Sequence, residues 1–347
     1  MHCSTSDIRR CGLVGTPISM DVPNRDNGTT SPVTSTKSPL TVGQIIEATK
    51  VPSHSLTKGV ATMDLSAFAE ETAKVRVILK RWEEGRPGNV SIVGQRGLGK
   101  TTLALYLMSR GGQDLVLVDG AMITSKTGMQ ELAEYLGALR KRYIVFVDEV
   151  HHLSNERQSW LLPLLGEVHR LSTAPKGSRH KVLLLGQEVE ASLSSWILAT
   201  TEESMVFPPL LNRCFPIELK LKDDATIASI LKRKGYTNEL AQVASEYAGG
   251  NVRLGLDIAE ALRLSGSLNP EELGFYRKGY TARDLGVLRR LCQSKSLAAR
   301  SIRSLLGCDM RTTTERITKY ERDGFVQVTS RGCEPTKELP KFLQSIP

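Results

Sequence analysis

Residues 94–101 read Gly94-Gln95-Arg96-Gly97-Leu98-Gly99-Lys100-Thr101 and separate the apolar run Ser91-Ile92-Val93 from the helix-patterned run Thr101–Met108. This Gly-x-x-x-x-Gly-Lys-Thr spacing limits the possible folds more than any other feature of the chain. The glycines let consecutive backbone N–H groups curl around an anion with no Cβ in the way. The helix that follows turns the positive end of its dipole toward the same point. Such a loop needs a buried strand before it and a packed helix after it, so it predicts a parallel α/β sheet. Its ligand is the phosphate chain of ATP, cradled by Gly94, Gly97, Gly99, Lys100, Thr101 and Thr102. Lys100 reaches for the β- and γ-phosphates, and the Thr101 hydroxyl completes the shell of a magnesium ion.

A second element agrees with the first. Tyr143–Val147 (YIVFV) reads as a strand buried on both faces and ends in Asp148-Glu149. A carboxylate at that strand end can hold magnesium, which assigns Asp148 to the metal, and Glu149 is placed to polarise an attacking water. Together the two motifs predict hydrolysis as well as binding.

The remaining pattern alternates strands with helices. β-branched runs at Val90–Val93, Leu115–Val118, Tyr143–Val147, Trp196–Ala199 and Ile217–Leu221 are spaced by helical stretches such as Thr101–Ser109 and Met129–Arg140. A helical pattern also spans Asp64–Trp82. After Leu221 the strands stop, and Asp223–Lys234, Asn238–Ala248 and Val252–Leu264 read as a three-helix lid. From Tyr280, helices over Ala282–Gln293, Ala298–Leu306 and Met310–Arg322 precede a strand at Gly324–Thr329 and a turn at Ser330–Gly332. Three helices followed by a strand and a basic turn predict a winged helix. The expected organisation is a disordered tail over 1–55, a phosphate-loop ATPase domain over 56–221, a lid over 222–279 and a winged-helix DNA-binding domain over 280–347. The tail is rich in Ser, Thr and Pro and buries too little apolar surface to offset the entropy of ordering.

Charge narrows the partner. The chain carries a net +9, and the segment from Tyr280 onward holds 13 Lys and Arg against 7 Asp and Glu, so most of the excess is C-terminal. That balance predicts an anionic partner bound there, DNA foremost. Six scattered cysteines with no metal-ligand spacing predict free thiols in a reducing cytoplasm. No apolar run is long enough for a membrane span.

Further residues give the chain a resemblance to the AAA+ ATPases, and among them to the RuvB family of Holliday-junction branch-migration motors. They are GLGKTTLA (97–104), VDEVHHLS (147–154), ILATTEE (197–203), PPLLNRCF (208–215), GGNVR (249–253) and DGFVQVTSRG (323–332), in family order. The resemblance implies that Thr201 is a sensor orienting the attacking water. It implies that Arg213 is an arginine finger reaching a neighbouring subunit's site, and that Arg253 is a lid residue contacting the nucleotide. It also implies a homo-oligomeric ring, by family a hexamer, acting on duplex or four-way-junction DNA. The hairpin near Val182–Leu185 is where that family docks a junction-binding protein. The Asn212-Arg213-Cys214 element equally resembles clamp loaders, which keeps open an ATPase that loads or anchors without translocating. Arg96 stands where the family tends to have proline, and Ala69-Glu70 where it has Gly-Gln.

In the C-terminal segment, Arg311, Thr312, Arg316 and Lys319 lie on the expected recognition helix, and Arg331 lies in the wing turn. These are the candidate DNA contacts, of a kind that grips phosphates and not base edges.

Overall fold

Four of the five residues of Asn89–Val93 (β1) are buried, because this strand is covered on both faces of its sheet. The computed structural model describes residues 68–346 apart from 112, 113, 122 and 124. The tail expected over 1–55 and the expected start of the ATPase domain therefore lie outside the described residues. The chain divides into two compact units: one runs to Gln95 and over 99–219, and the other comprises 96–98 and 220–347.

In the first unit, Thr72–Glu83 (α1) precedes β1, and Lys100–Arg110 (α2) follows the glycine loop. Asp114–Asp119 (β2), Lys126–Ala138 (α3), Tyr143–Asp148 (β3) and Asn155–Thr173 (α4) come next. A hairpin of Lys181–Leu184 (β4) and Gln187–Glu190 (β5) leads into Ser194–Thr200 (β6), Pro208–Leu211 (α5) and Phe215–Glu218 (β7). The five long strands form one parallel sheet in the order β2-β3-β6-β1-β7. The expected strands all appear, with one shift: β7 lies at 215–218, ahead of the Ile217–Leu221 run. Among the described residues its only partner is β1, which leaves the sheet at Gly94, so pairing ends at Val93↔Glu218. Pro216 is tolerated because β7 is an edge strand with one side unpaired.

Register decides where function gathers. Val93 pairs with Thr200, Val147 with Leu198 and Asp119 with Asp148. The carboxyl ends of β1, β3 and β6 therefore finish along one edge, the edge at which open α/β sheets bind ligands. The core beneath is built on Trp196, Tyr143 and the buried face of α4, including Leu161, Leu164, Leu165 and Val168.

The second unit holds Asp224–Arg233 (α6), Asn238–Tyr247 (α7) and Val252–Ser265 (α8), packed around Ile227, Leu231, Ala244 and Ile258. Side chains of Asp223, Thr237 and Asn251 cap these helices. Ala282–Ser294 (α9), Ala299–Leu306 (α10), Met310–Arg322 (α11), the hairpin of Val326–Thr329 (β8) and Gly332–Pro335 (β9), and Glu338–Gln344 (α12) follow. Leu297 bridges to Cys333, adding a third short partner to that hairpin. Three helices and a two-residue β-turn at Ser330-Arg331 reproduce the order expected of a winged helix.

Buried polar groups lock this last segment. Asp284 accepts from Thr281 N at 2.8 Å and from Tyr320 Oη at 2.5 Å, and Tyr280 Oη donates to Asp323 at 2.5 Å. Removing the Tyr320 hydroxyl leaves a buried carboxylate short of a donor, at a cost of about 1–3 kcal/mol. Tyr320→Phe is therefore expected to lower the urea midpoint of the C-terminal transition, followed by circular dichroism. An unchanged midpoint would show that Asp284 is fully served by Thr281 and Arg316.

Candidate active site

The loop after β1 is shaped by backbone that only glycine adopts easily: Gly97 has φ +87° and Gly99 φ +93°. It is also tightly bounded, since a Cβ on Gly94 would lie 2.9 Å from Leu219 O and one on Gly99 3.2 Å from the Phe68 ring. Gly99 opens α2 and no side chain caps it, so the first-turn amides face the loop's concavity. Lys100 is buried, and its ammonium donates to Gly94 O at 2.9 Å and Gln95 O at 3.3 Å. The cradle thus fits a polyphosphate: glycine backbone, an uncapped helix start and one buried cation.

Thr101 Oγ1 donates to Asp148 Oδ2 at 3.0 Å, joining α2 to the end of β3. The other oxygen of Asp148 accepts from Glu149 N at 3.1 Å. Burial pushes the Asp148 pKa up, against the opposing pull of its hydrogen bond from Thr101. A hydroxyl and a carboxylate side by side are the hard-oxygen donors that magnesium takes. Among the described residues no three His, Cys, Asp or Glu side chains gather as a metal site.

Glu149 lies beside Asp148, and one of its oxygens is closely held. Oε2 accepts from Thr201 N at 3.0 Å and Thr201 Oγ1 at 3.1 Å, and His151 Nδ1 is 3.2 Å away. Thr201 therefore meets the candidate base directly, where the sequence led us to expect it to orient water. The same imidazole lies 3.0 Å from Thr200 Oγ1 and, through Nε2, 3.1 Å from Glu202 Oε1. His151 and Glu202 are site residues that motif reading passed over. The signal for His151 was the VDEVHHLS run and for Glu202 the ILATTEE run.

The structure brings Gly94, Lys100, Thr101, Asp148, Glu149 and Thr201 to one edge and leaves Arg213 elsewhere. Arg213 O accepts from Asn89 Nδ2 at 3.0 Å, at the opposite end of β1. A strand rise of ~3.3 Å per residue separates Asn89 from Val93 by roughly 13 Å. The guanidinium donates to Pro209 O and lies over Gly166 of α4. In the second unit, Arg253 N donates to Gly97 O at 3.2 Å and Asn251 Nδ2 to Arg96 O at 2.9 Å, while the Arg253 side chain is exposed. Asn251, which also caps α8, was not anticipated. Thr102 is an exposed first-turn residue of α2.

The proposed DNA contacts divide. Arg311 and Arg331 are exposed, and Thr312 donates its N–H and hydroxyl to Asp309, the residue that caps α11. Lys319, by contrast, is only 16% exposed, 3.1 Å from Asp323 and seated over the Tyr280 ring, and burial pushes its pKa down. Arg316, 33% exposed, lies 3.4 Å from buried Asp284. Both of these cations thus hold carboxylates of the same segment. Arg300 and Arg303 on α10 were missed. They line an open concavity of about 720 Å³ with Ser304, Gly307, Cys308 and Met310. In the β4–β5 hairpin, Leu184 is buried and Val182 and Leu185 pack on the core, leaving Leu183 exposed at 67%.

The model of the "ATPase family associated with various cellular activities (AAA)" matches residues 90–221. The Holliday junction branch migration complex subunit RuvB of Wolinella succinogenes is 28% identical over 285 residues, 75% of this chain and 82% of that protein. The subunit of the same name from Mycoplasma pneumoniae is 23% identical over 80% of this chain and 96% of its own length. In fold, the chain is similar to Thermotoga maritima RuvB, with a TM-score of 0.62 at 19% identity over 80% of this chain and 95% of that structure. Among the described residues no helix is long and apolar enough to cross a membrane.

Lys100→Ala removes the one buried cation of the cradle. Phosphate release from ATP is expected to fall by about 10²–10³-fold or more, the usual cost of losing a donor aimed at developing negative charge. Retention of more than half the rate in a folded variant would contradict this assignment.

Proposed function

We propose that the chain is a RuvB-like AAA+ ATPase, an ATP-driven DNA motor that branch-migrates four-way junctions as a ring of its own copies. The placement of Arg213 carries the reading. An arginine finger stabilises the charge spread over a γ-phosphate in flight, worth about 10³–10⁵ in rate. Here the guanidinium belongs to the end of the sheet away from its own phosphate loop. It lies too far from its own phosphate loop to serve it, and we assign it to the site of a neighbouring copy, each site being completed by assembly.

Within one site the roles follow from the contacts. Backbone amides of 94–101 and Lys100 hold the phosphates, and Thr101 and Asp148 are the residues to hold magnesium, which when bound neutralises charge between the β- and γ-phosphates. Glu149 accepts the proton of the attacking water, and Thr201 fixes that carboxylate. Arg253, at the start of α8, carries the state of the nucleotide into a lid spanning 222–279.

For DNA we assign Arg311 and Arg331 together with Arg300 and Arg303, all exposed, in a winged helix over 280–347. None is arranged as a base-reading pair, so the grip is on phosphates and weakens steeply with salt. A junction-binding protein docks on the β4–β5 hairpin through Leu183. That contact is smaller than the apolar run Val182–Leu185 suggests, because its neighbours are spent on the core. The competing reading, a clamp-loader-like ATPase, hydrolyses ATP without moving DNA.

The test measures dissociation of a labelled four-way junction with ATP and magnesium. The wild-type chain is expected to dissociate it, Lys100→Ala and Arg213→Ala alone to be inactive, and mixtures of the two variants to regain part of the ATPase rate. ATP turnover with no junction dissociation would favour the loader. Absence of recovery at every mixing ratio would overturn the shared site.

A further inference from the structure

His151 has no part in the roles assigned above, yet it is among the most constrained side chains at the site. Its ring is 7% exposed and lies between two carboxylates, with Nδ1 3.2 Å from Glu149 Oε2 and Nε2 3.1 Å from Glu202 Oε1. Nδ1 also lies 3.0 Å from Thr200 Oγ1, so the ring is bounded by a hydroxyl as well as by the two carboxylates. Glu202 is itself fixed, because its backbone N–H donates to Thr200 Oγ1 at 2.9 Å and it directly follows the Thr201 contact. The ring is therefore oriented from behind by Glu202 and presents its Nδ1 to Glu149.

Glu149 needs such support. It is a non-glycine residue at φ 48°, ψ 52°, a left-handed conformation that persists only where its surroundings hold it. Two donors, Thr201 N and Thr201 Oγ1, converge on its Oε2, and His151 Nδ1 lies 3.2 Å from the same oxygen. Its Oε1 accepts no hydrogen bond among the described residues. One oxygen is anchored, and the other is left for the water whose proton the carboxylate takes.

From this geometry we infer that His151 is a positioning residue for ATP hydrolysis, oriented by Glu202, that aims the Glu149 carboxylate at the attacking water. It touches neither nucleotide nor metal ligand and acts only through Glu149. Its loss alters turnover and leaves nucleotide binding in place. A displacement of about 1 Å in a reacting group costs up to about 10²-fold.

Substitutions that keep one nitrogen at a time separate positioning from packing. His151→Asn places an amide N–H where Nδ1 stands, toward Glu149. His151→Gln places one where Nε2 stands, toward Glu202. We expect His151→Ala and His151→Gln to lower kcat by about 10–10²-fold, with the KM for ATP and the binding of a fluorescent ATP analogue within about twofold of wild type. His151→Asn should recover most of kcat. Glu202→Gln keeps size but loses the charge that orients the ring, and is expected to fall between them. Equal rates for the Asn and Gln variants, or a wild-type kcat in His151→Ala, would overturn the inference. So would loss of analogue binding in step with kcat, which would mark His151 as structural only. The inference rests on ATP hydrolysis at this site, so wild type and Lys100→Ala are run alongside. An inactive wild type would sink that reading, whereas an active wild type with an unaffected His151→Ala sinks this one alone.

Discussion

The order of the parallel sheet is the constraint on which the rest depends. With β6 between β1 and β3, the loop leaving β1 and the acidic pair ending β3 flank the polar end of β6. The Thr101–Asp148 hydrogen bond at 3.0 Å spans this arrangement, as do the contacts from Thr201 to Glu149. Slipping one of these strands by a single residue would turn its alternate side chains to the opposite face and break the edge apart. The buried core under Trp196 and α4 prevents that slip, so packing remote from the chemistry fixes the chemical geometry.

Charge burial follows the same economy in both units. Lys100, Asp148, Glu149, His151 and Glu202 are drawn out of water at one edge, and each meets opposite charge or hydrogen-bond donors and acceptors. An ionised group taken from water without such partners would cost several kcal/mol. In the C-terminal segment the buried phenols of Tyr280 and Tyr320 have their pKa values pushed up, first by burial and then by their carboxylate partners. Lys319 and Arg316 are held by those same carboxylates. Part of the basic character of α11 is thus engaged with carboxylates of its own segment, whereas Arg300, Arg303 and Arg331 are exposed.

The parts legible in sequence were those set by local backbone chemistry or by strict burial. Gly97, Gly99 and Lys100 are legible because no other residues make that loop, and Tyr143–Val147 because a doubly covered strand is apolar throughout. The helices expected over Asp223–Lys234 and Asn238–Ala248 are found to within a residue at each end, with Asp223 and Thr237 capping them. What stayed hidden depended on partners distant in the chain. Whether Lys319 faces DNA or Asp323 is decided by the Tyr280 ring, 39 positions away. The end of β7 is decided by where β1 departs, and the burial of Val182 and Leu185 by the core beneath the hairpin. The 19-residue α4 is blurred by Pro163 inside it, and the His151–Glu202 contact joins two loops that only the sheet brings together.

The central claim is that Glu149, held at Oε2 and open at Oε1, is the base of a magnesium-ATP site built on Lys100, Thr101 and Asp148. Single-turnover hydrolysis of ATP by Glu149→Gln, with binding followed in parallel, tests it most directly. The account predicts that the variant retains ATP and hydrolyses it about 10²–10⁴-fold more slowly than wild type. Hydrolysis at the wild-type rate, with ATP bound equally well, would contradict it.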